Sequence, residues 1–330
     1  MALPERIRKN LTLPAFAAPM FLVSGTDLAI ACCKAGIIGS LTRNHCRDIE
    51  ELQAQLRTVR EALDRFADEA PGYPVSPLAV NISPTFSQEE FRAHLDLCRR
   101  YGVEIIVTSV GNPTVNAPLV QEYGLLHFHD ATTIRFAEKA AAAGADGIVC
   151  IGAGGGGHAG IISHLAFVPQ VRAMFDGTIV MAGVISTGSA IRAAEVLGAD
   201  LAYVGTRMIA TRESAAPDPY KAMLVSGGVT DVLYTRGVNG LPASWLKQSL
   251  REAGLDPDNL FQPEGRSTDH LPPDKTPWRD IWSGGQGIGL IDDVPPVADL
   301  VERLQREYVA ACRVPDSAEA ALAALDRKAR

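Results

Sequence analysis

Eight short, β-rich apolar runs, each followed by a stretch with helical spacing, restrict this chain to few architectures. The runs are Ala15–Met20, Gly36–Leu41, Pro77–Ile82, Glu104–Ser109, Leu125–Asp130, Gly147–Gly152, Ile179–Val184 and Ala202–Arg207. Amphipathic segments such as Asp48–Asp68, Gln88–Tyr101, Thr132–Ala143 and Ser186–Leu197 lie between them. Continuous apolar strands alternating with helices mean parallel strands buried on both faces. An open doubly wound sheet usually carries a glycine fingerprint after its first strand. Here that strand runs into Pro19-Met20-Phe21-Leu22-Val23-Ser24-Gly25, which has no GxGxxG spacing. Eight units with no shift of composition between halves predict one closed (β/α)₈ TIM barrel, and 330 residues suffice for it.

Local signals mark the unit boundaries. Asp48 and Ser87 each precede acidic residues of a first helical turn, as capping residues do. Gly102, Gly144 and Gly198 stand where left-handed C-caps end helices before the next strand. The turns Ala143-Gly144-Ala145-Asp146-Gly147 and Leu197-Gly198-Ala199-Asp200-Leu201 repeat one helix-to-strand design. From about Ala216 the pattern fails. Residues 216–285 are rich in Pro, Gly and Asp and hold Trp245, Trp278 and Trp282. They are expected to be a partly helical excursion over the barrel mouth, not an independent domain, with the barrel built from 1–215 and 286–330. Pro296–Ala311 reads as a last amphipathic helix sealing the floor or side, and Ser317–Arg330 as a frayed helix.

Composition narrows the partners. Charged residues make up 21% of the chain and 47% is hydrophobic, which excludes a disordered protein. With Lys+Arg 31 against Asp+Glu 38, the net charge of −7 supplies no basic stripe for nucleic acid. No apolar run reaches a membrane span, and the opening residues lack the apolar region of a secretory signal, so a cytoplasmic location is expected. Six cysteines without regular spacing form neither a disulfide framework nor a CxxC redox site.

In a barrel of this kind the chemistry sits at the C-terminal ends of the strands. After the sixth run comes Gly152-Ala153-Gly154-Gly155-Gly156-Gly157-His158-Ala159-Gly160. Such glycine density removes side chains where something flat, or a phosphate, must approach the backbone. His158 is then the polar group facing the ligand, suited to proton transfer near neutrality. Ala182-Gly183-Val184 after the seventh run and Gly205-Thr206 after the eighth, with a helix start at Ser186, read as a phosphate cradle of backbone N–H groups and a helix N-terminus. Asn81 and Ser83 end the third strand as short polar groups placed to hydrogen-bond a planar ring. His127 and His129 share one face of the fifth strand, with Asp130 next. A metal would need further ligands not evident at other strand ends, so none is expected. Ser163 and His164 lack a nucleophile elbow.

These motifs resemble the nitronate monooxygenase family, formerly the 2-nitropropane dioxygenases, which are FMN-containing TIM barrels related to enoyl reductases of the FabK type. The resemblance covers PAFAAPM, AVNIS, GADGIVCIGAGGGGHAG, VMAGVISTGSAIRAAEVLGADLAYVGTRMIATRES and IWSGGQGIGLIDDVPP. It implies that Pro19, Met20 and Phe21 line the flavin, that Asn81 and Ser83 contact the ring, and that Gly156 and Gly157 lie beside it. It further implies that Ala182, Gly183, Val184, Gly205 and Thr206 hold the FMN phosphate and that His158 is the active-site histidine. It also implies that Asp130 is among the cofactor-binding residues, standing where many relatives carry a lysine, and glycine replaces the usual acid before Gly-Gly-His. A cation at that position stabilises negative charge on a reduced flavin, whereas an anion opposes it.

The reading that follows is an FMN-dependent oxidoreductase that oxidises alkyl nitronates with O₂ to carbonyl compounds and nitrite. Its partners would be a small anionic substrate and O₂, with neither nucleic acid nor membrane; a homo-oligomer is left open. An alternative is an NAD(P)H-dependent flavin reductase acting on quinones or enoyl thioesters. A dehydrogenase of the inosinate type would need a cysteine after the glycine loop, and none lies between Cys150 and Cys312. A flavin-binding sensor or scaffold without turnover is the non-enzymatic alternative.

Overall fold

The computed structural model describes residues 2–313 and 317–318, so the tail expectation beyond residue 318 lies outside the described residues. Eight parallel strands form the barrel: β1 (Ala15–Ala17), β2 (Gly39–Thr42), β3 (Leu78–Asn81), β4 (Ile105–Thr108), β5 (Leu126–Ala131), β6 (Gly147–Ile151), β8 (Thr178–Ala182) and β9 (Leu201–Val204). They neighbour one another in the order β1-β9-β8-β6-β5-β4-β3-β2. A parallel bridge between Phe16 and Ile38 joins β1 to β2 and closes the ring. The two-residue β7 (Gly157–His158) lies outside the barrel, in a second sheet with β10 (Val232–Thr235) and β11 (Ala243–Leu246).

The helices are α1 (Glu5–Arg8), α2 (Thr26–Ala35), α3 (Ile49–Glu69), α4 (Gln88–Arg100), α5 (Pro113–Glu122), α6 (Ile134–Ala142), α7 (His164–Met174), α8 (Gly188–Val196), α9 (Thr206–Ile209), α10 (Asp218–Ser226), α11 (Lys247–Glu252) and α12 (Val297–Ala311). Their boundaries follow the expected chemistry. The Asp48 side chain accepts from the Glu51 N–H, and Ser87 with Glu90 forms a full capping box. Gly102, Gly144 and Gly198 all adopt positive φ just past α4, α6 and α8. On α3, Leu52, Leu56, Val59 and Leu63 form the buried stripe that the 3.6-residue period requires.

Side chains alternate across each strand, and this sorts the core into layers. Phe16, Ile38, Ala79, Ile105, Val107, Phe128, Val149, Val180 and Leu201 fill the barrel interior, joined at the floor by Leu3 and Ile7 from the N-terminal segment. Outward-facing strand residues pack against the helices in two further clusters. The floor is therefore closed by the N-terminal segment. α12 takes the side: it packs between α8 and α2, filling the gap left because β9 is followed only by the four-residue α9.

Residues 216–285 contain α10, α11 and the strand pair β10–β11, the last of which the sequence pattern did not reveal. β11 pairs antiparallel with β7, setting Ala243 opposite His158 and Ser244 opposite Gly157. Trp245 is fully buried in a cluster of this segment's own apolar residues, and Trp282 stacks on Tyr220.

Candidate functional site

Glycine, strain and close backbone approach concentrate at the ends of β6, β8 and β9. Gly154 and Gly183 sit at φ of +81° and +123°, a region side chains rarely adopt. A Cβ on Gly183 would meet His164 Cε1 at 2.9 Å, and one on Gly156 would meet the Gly285 amide nitrogen at 3.0 Å. Val184 has φ +59°, which for a β-branched residue is true backbone strain. The other non-glycine residues with positive φ among those described are Val110, just past β4, and Trp278, beside His158. Phe21 and Val184 expose apolar side chains after β1 and β8.

The segment Gly284–Gly287 completes this half of the mouth. The Gly285 N–H donates to Thr206 Oγ1 at 2.9 Å, and the Gln286 N–H donates to the Gly154 carbonyl at 2.8 Å. Ser186 is buried and donates to the Gly287 carbonyl. These residues escaped the candidate set, although their Gly-Gly-Gln-Gly run was visible in the sequence. Arg207 is turned away, paired with Asp293 at 2.8 Å.

The helix of the expected phosphate cradle starts later than its sequence signal. α8 does not start at Ser186: its N-cap is Thr187, whose side chain accepts from the Ala190 N–H. Its first amide, on Gly188, donates to Glu307 Oε2 of α12 at 2.7 Å. That helix N-terminus already holds a carboxylate, and a Cβ on Gly188 would strike the Leu304 carbonyl at 2.1 Å.

His158 lies half-buried on β7. Asn239 Nδ2 donates to its Nε2 at 3.3 Å, and the ring meets Trp278 edge-on with centroids 5.1 Å apart. Burial and then the charge of Arg266 hold its pKa below the ordinary imidazole value, so the neutral ring prevails at neutral pH. Trp278 itself packs on Trp245, 5.0 Å between centroids, so the excursion fixes the histidine's surroundings. Asn239 and Trp278 carried no sequence signal linking them to His158, because their loop reaches it only through the β7–β11 pairing.

The opposite side of the mouth is built from side chains. Asn81 ends β3 facing inward and donates from Nδ2 to the Val107 carbonyl at 3.2 Å. Ser83 is engaged locally, 2.8 Å from Thr85 Oγ1. Asp130 alternates with Leu126 and Phe128 and so points into the barrel, with Oδ1 enclosed and unpartnered. Burial pushes its carboxyl up to about 7. Tyr203, overlooked in the sequence, points inward from β9 with its hydroxyl enclosed and unpartnered.

His127 and His129 do share a face, but it is the face turned to the helices. Thr108 Oγ1 lies 2.8 Å from His127 Nε2 and 2.7 Å from His129 Nδ1. Burial lowers the two rings to about 3 and about 4. One hydroxyl has one proton to give, so at least one ring must donate to it. This is a neutral structural cluster behind the wall, separate from the mouth. His164 braces the glycine loop instead of joining a triad: its Nε2 lies 2.8 Å from the Ala182 carbonyl, and Ser163 is the N-cap of α7. Among the described residues no group of three His, Cys, Asp or Glu could hold a metal ion, and no helix is long and apolar enough to cross a membrane.

The family model described as nitronate monooxygenase matches residues 6–307. The chain belongs to the nitronate monooxygenase family. It is 27% identical over 242 residues to a 5-hydroxy-7a-methyl-1-oxo-octahydro-1H-indene-4-carboxyl-CoA dehydrogenase of Mycobacterium tuberculosis, covering 72% of this chain and 64% of that protein. The chain thus spans just under two thirds of that relative's length. Among solved structures, FabK from Thermotoga maritima aligns with a TM-score of 0.70 at 23% identity, over 93% of this chain and 97% of that one. Nitroalkane oxidase from Streptomyces ansochromogenes aligns with a TM-score of 0.69 at 26% identity, over 92% and 97%. The family match and these alignments agree with the barrel read from the strand pattern.

Proposed function

We propose that the protein is an FMN-dependent oxidoreductase that oxidises alkyl nitronates with O₂ to carbonyl compounds and nitrite. The observation that carries this reading is a neutral, half-buried His158 fixed beside a glycine-built mouth. Family membership and the likeness to a nitroalkane oxidase support the substrate class. The mouth fits the cofactor on two counts: the Gly205 backbone borders open space, since a Cβ there would meet only Ala18 Cβ at 3.7 Å, and enclosed polar atoms on Asp130 and Tyr203 await a partner. Ala182, Gly183, Val184, Gly205 and Thr206 would hold the phosphate through backbone groups, and Pro19, Met20, Phe21, Asn81 and Gly157 would line the ring. When bound, FMN supplies electron acceptance from the anionic substrate and reactivity toward O₂.

The chain's own residues orient and exclude. With Nε2 accepting from Asn239, the neutral His158 carries its proton on Nδ1 and donates it in a hydrogen bond to the anionic substrate. Asn239 and Trp278 keep that ring in place, and residues 216–285 shield it from water as a lid. Heat-released cofactor identified as FMN, together with nitrite released from propyl nitronate under O₂, is the expected result; a colourless protein or bound FAD would overturn the reading. The likeness to an indene-carboxyl-CoA dehydrogenase favours one second reading, a flavin enzyme acting on thioesters. Anaerobic bleaching of the flavin by NADH or NADPH, without nitrite release from nitronates, would select a reductase of that kind.

A further inference from the structure

Two enclosed polar atoms inside the barrel lack any partner from the described residues, Asp130 Oδ1 and the Tyr203 hydroxyl. Both side chains leave their strands on the inward face. Tyr203 is wedged edge-on against Phe16, with ring centroids 4.9 Å apart, and Phe128 fills the layer beneath Asp130. The barrel below is apolar, so no partner can come from that side. An unpaired buried polar group is destabilising, and two of them at the ligand end of one barrel point to a partner that arrives with the ligand.

The carboxyl's surroundings decide its form. Burial alone raises it, and no cation contributes. Asn81 across the mouth is neutral, and His127 and His129 turn to the other face of β5 and are themselves neutral. His164 is engaged with Ala182, and His158 is held neutral on β7. Burial, and then any charge on Asp130, pushes the Tyr203 phenol up and so keeps it protonated. With the carboxyl in its acid form, the pair offers two O–H donors and suits a flat ligand with acceptor atoms along one edge.

We infer that Asp130 and Tyr203 form a two-donor seat for the flavin ring in which Asp130 binds as the neutral acid, so that flavin retention depends on a proton held by this carboxyl. The inference rests on the flavin reading above and adds the protonation state that the seat requires. As a carboxylate, Asp130 would set an acceptor against the acceptors of the ring.

The test uses the flavin-loaded protein, diluted into buffers from pH 6 to pH 8.5, with released FMN read by its fluorescence. Retention in the parent should weaken by up to about tenfold per pH unit once the carboxyl titrates. Asp130→Asn keeps an N–H donor that does not titrate, so its retention should be flat with pH once the titration of FMN's own phosphate, common to both proteins, is subtracted. Tyr203→Phe should weaken retention several-fold at every pH while keeping the parental slope. An equal slope in Asp130→Asn and the parent, or retention that improves as pH rises, would overturn the inference. A parent that holds FMN with pH-independent retention sinks the inference alone, whereas a parent that takes up no FMN at any pH sinks the flavin reading with it.

Discussion

The two halves of the barrel mouth are made of different material. At β6, β8 and β9 the surface is backbone: glycines at positive φ, a strained Val184, and the Gly284–Gly287 segment laid across them. At β3 and β5 it is side chain: Asn81 and Asp130 facing in, His127 and His129 facing out. A backbone surface has little room for added atoms at Gly154, Gly156 and Gly183, and it binds through N–H groups whatever the sequence around it. A side-chain surface depends on which way each residue faces and on what partner it finds. Substitutions should therefore fail differently in the two halves.

The largest effect is expected on the backbone side. Gly183→Asp combines strain at φ +123°, a Cβ 2.9 Å from His164 Cε1, and a carboxylate where the phosphate dianion is proposed to sit. It should abolish flavin retention and lower the melting temperature. Gly205→Asp separates these causes, because its Cβ would meet only Ala18 Cβ at 3.7 Å. That variant should fold as the parent does and still lose FMN by charge repulsion. Flavin-to-protein absorbance ratios together with thermal denaturation check both; full FMN occupancy in both would place the phosphate elsewhere.

Next comes His158→Ala, expected to keep the flavin and lose about 10²–10⁴-fold in turnover, the usual worth of a placed acid–base group. Because the histidine's pKa is lowered by burial and by Arg266, the neutral form fills as pH rises through a value below the ordinary imidazole range. A second N–H on the protonated ring would face the Asn239 Nδ2 donor and break that contact, so parental activity should climb on the acid side and be flat by neutrality, and the variant should lack that limb. A variant with parental rate and pH profile would reduce His158 to a packing residue.

This contrast also explains what the sequence could reveal. The barrel was legible because strand period and helix caps are local: Asp48, Ser87 and Gly102 need only their neighbours to act. The glycine loop was legible because glycines in such density have few other uses. The facing of His127 and His129 was not, since alternation tells which residues share a face and not which face looks into the barrel. Asn239, Trp278 and Glu307 reach their targets through tertiary packing, 81, 120 and 119 residues away in sequence from His158, His158 and Gly188. No local pattern encodes such reach. Tyr203 sat unnoticed within an apolar run because only its missing hydrogen bond sets it apart.

On the side-chain half, Thr108→Val separates wall from mouth. It removes the hydroxyl shared by His127 and His129 and leaves buried ring nitrogens unpaired, which should cost about 1–3 kcal/mol of stability. Turnover and FMN affinity should stay at parental values, because the cluster faces the helices. A loss of activity without a loss of stability would move these histidines into the chemistry.

The smallest effect is expected at Glu307, and it bears on which helix end serves the phosphate. Glu307 Oε2 accepts from the Gly188 N–H at 2.7 Å, so a negative charge already sits at the positive end of α8. Glu307→Gln keeps an acceptor of the same shape and removes only the charge. The loss should be about 0.3–1 kcal/mol, the usual worth of a charge at a helix end, and it should shrink as salt is added. FMN affinity should not change, since the proposed phosphate site lies on the strand-end backbone of Gly183, Val184, Gly205 and Thr206. If instead the phosphate competed for the N-terminus of α8, removing the carboxylate's charge would relieve like-charge repulsion and tighten binding. Tighter FMN retention in Glu307→Gln would thus restore the helix to the cradle, and unchanged retention with a small, salt-sensitive drop in melting temperature would keep it as a purely structural cap.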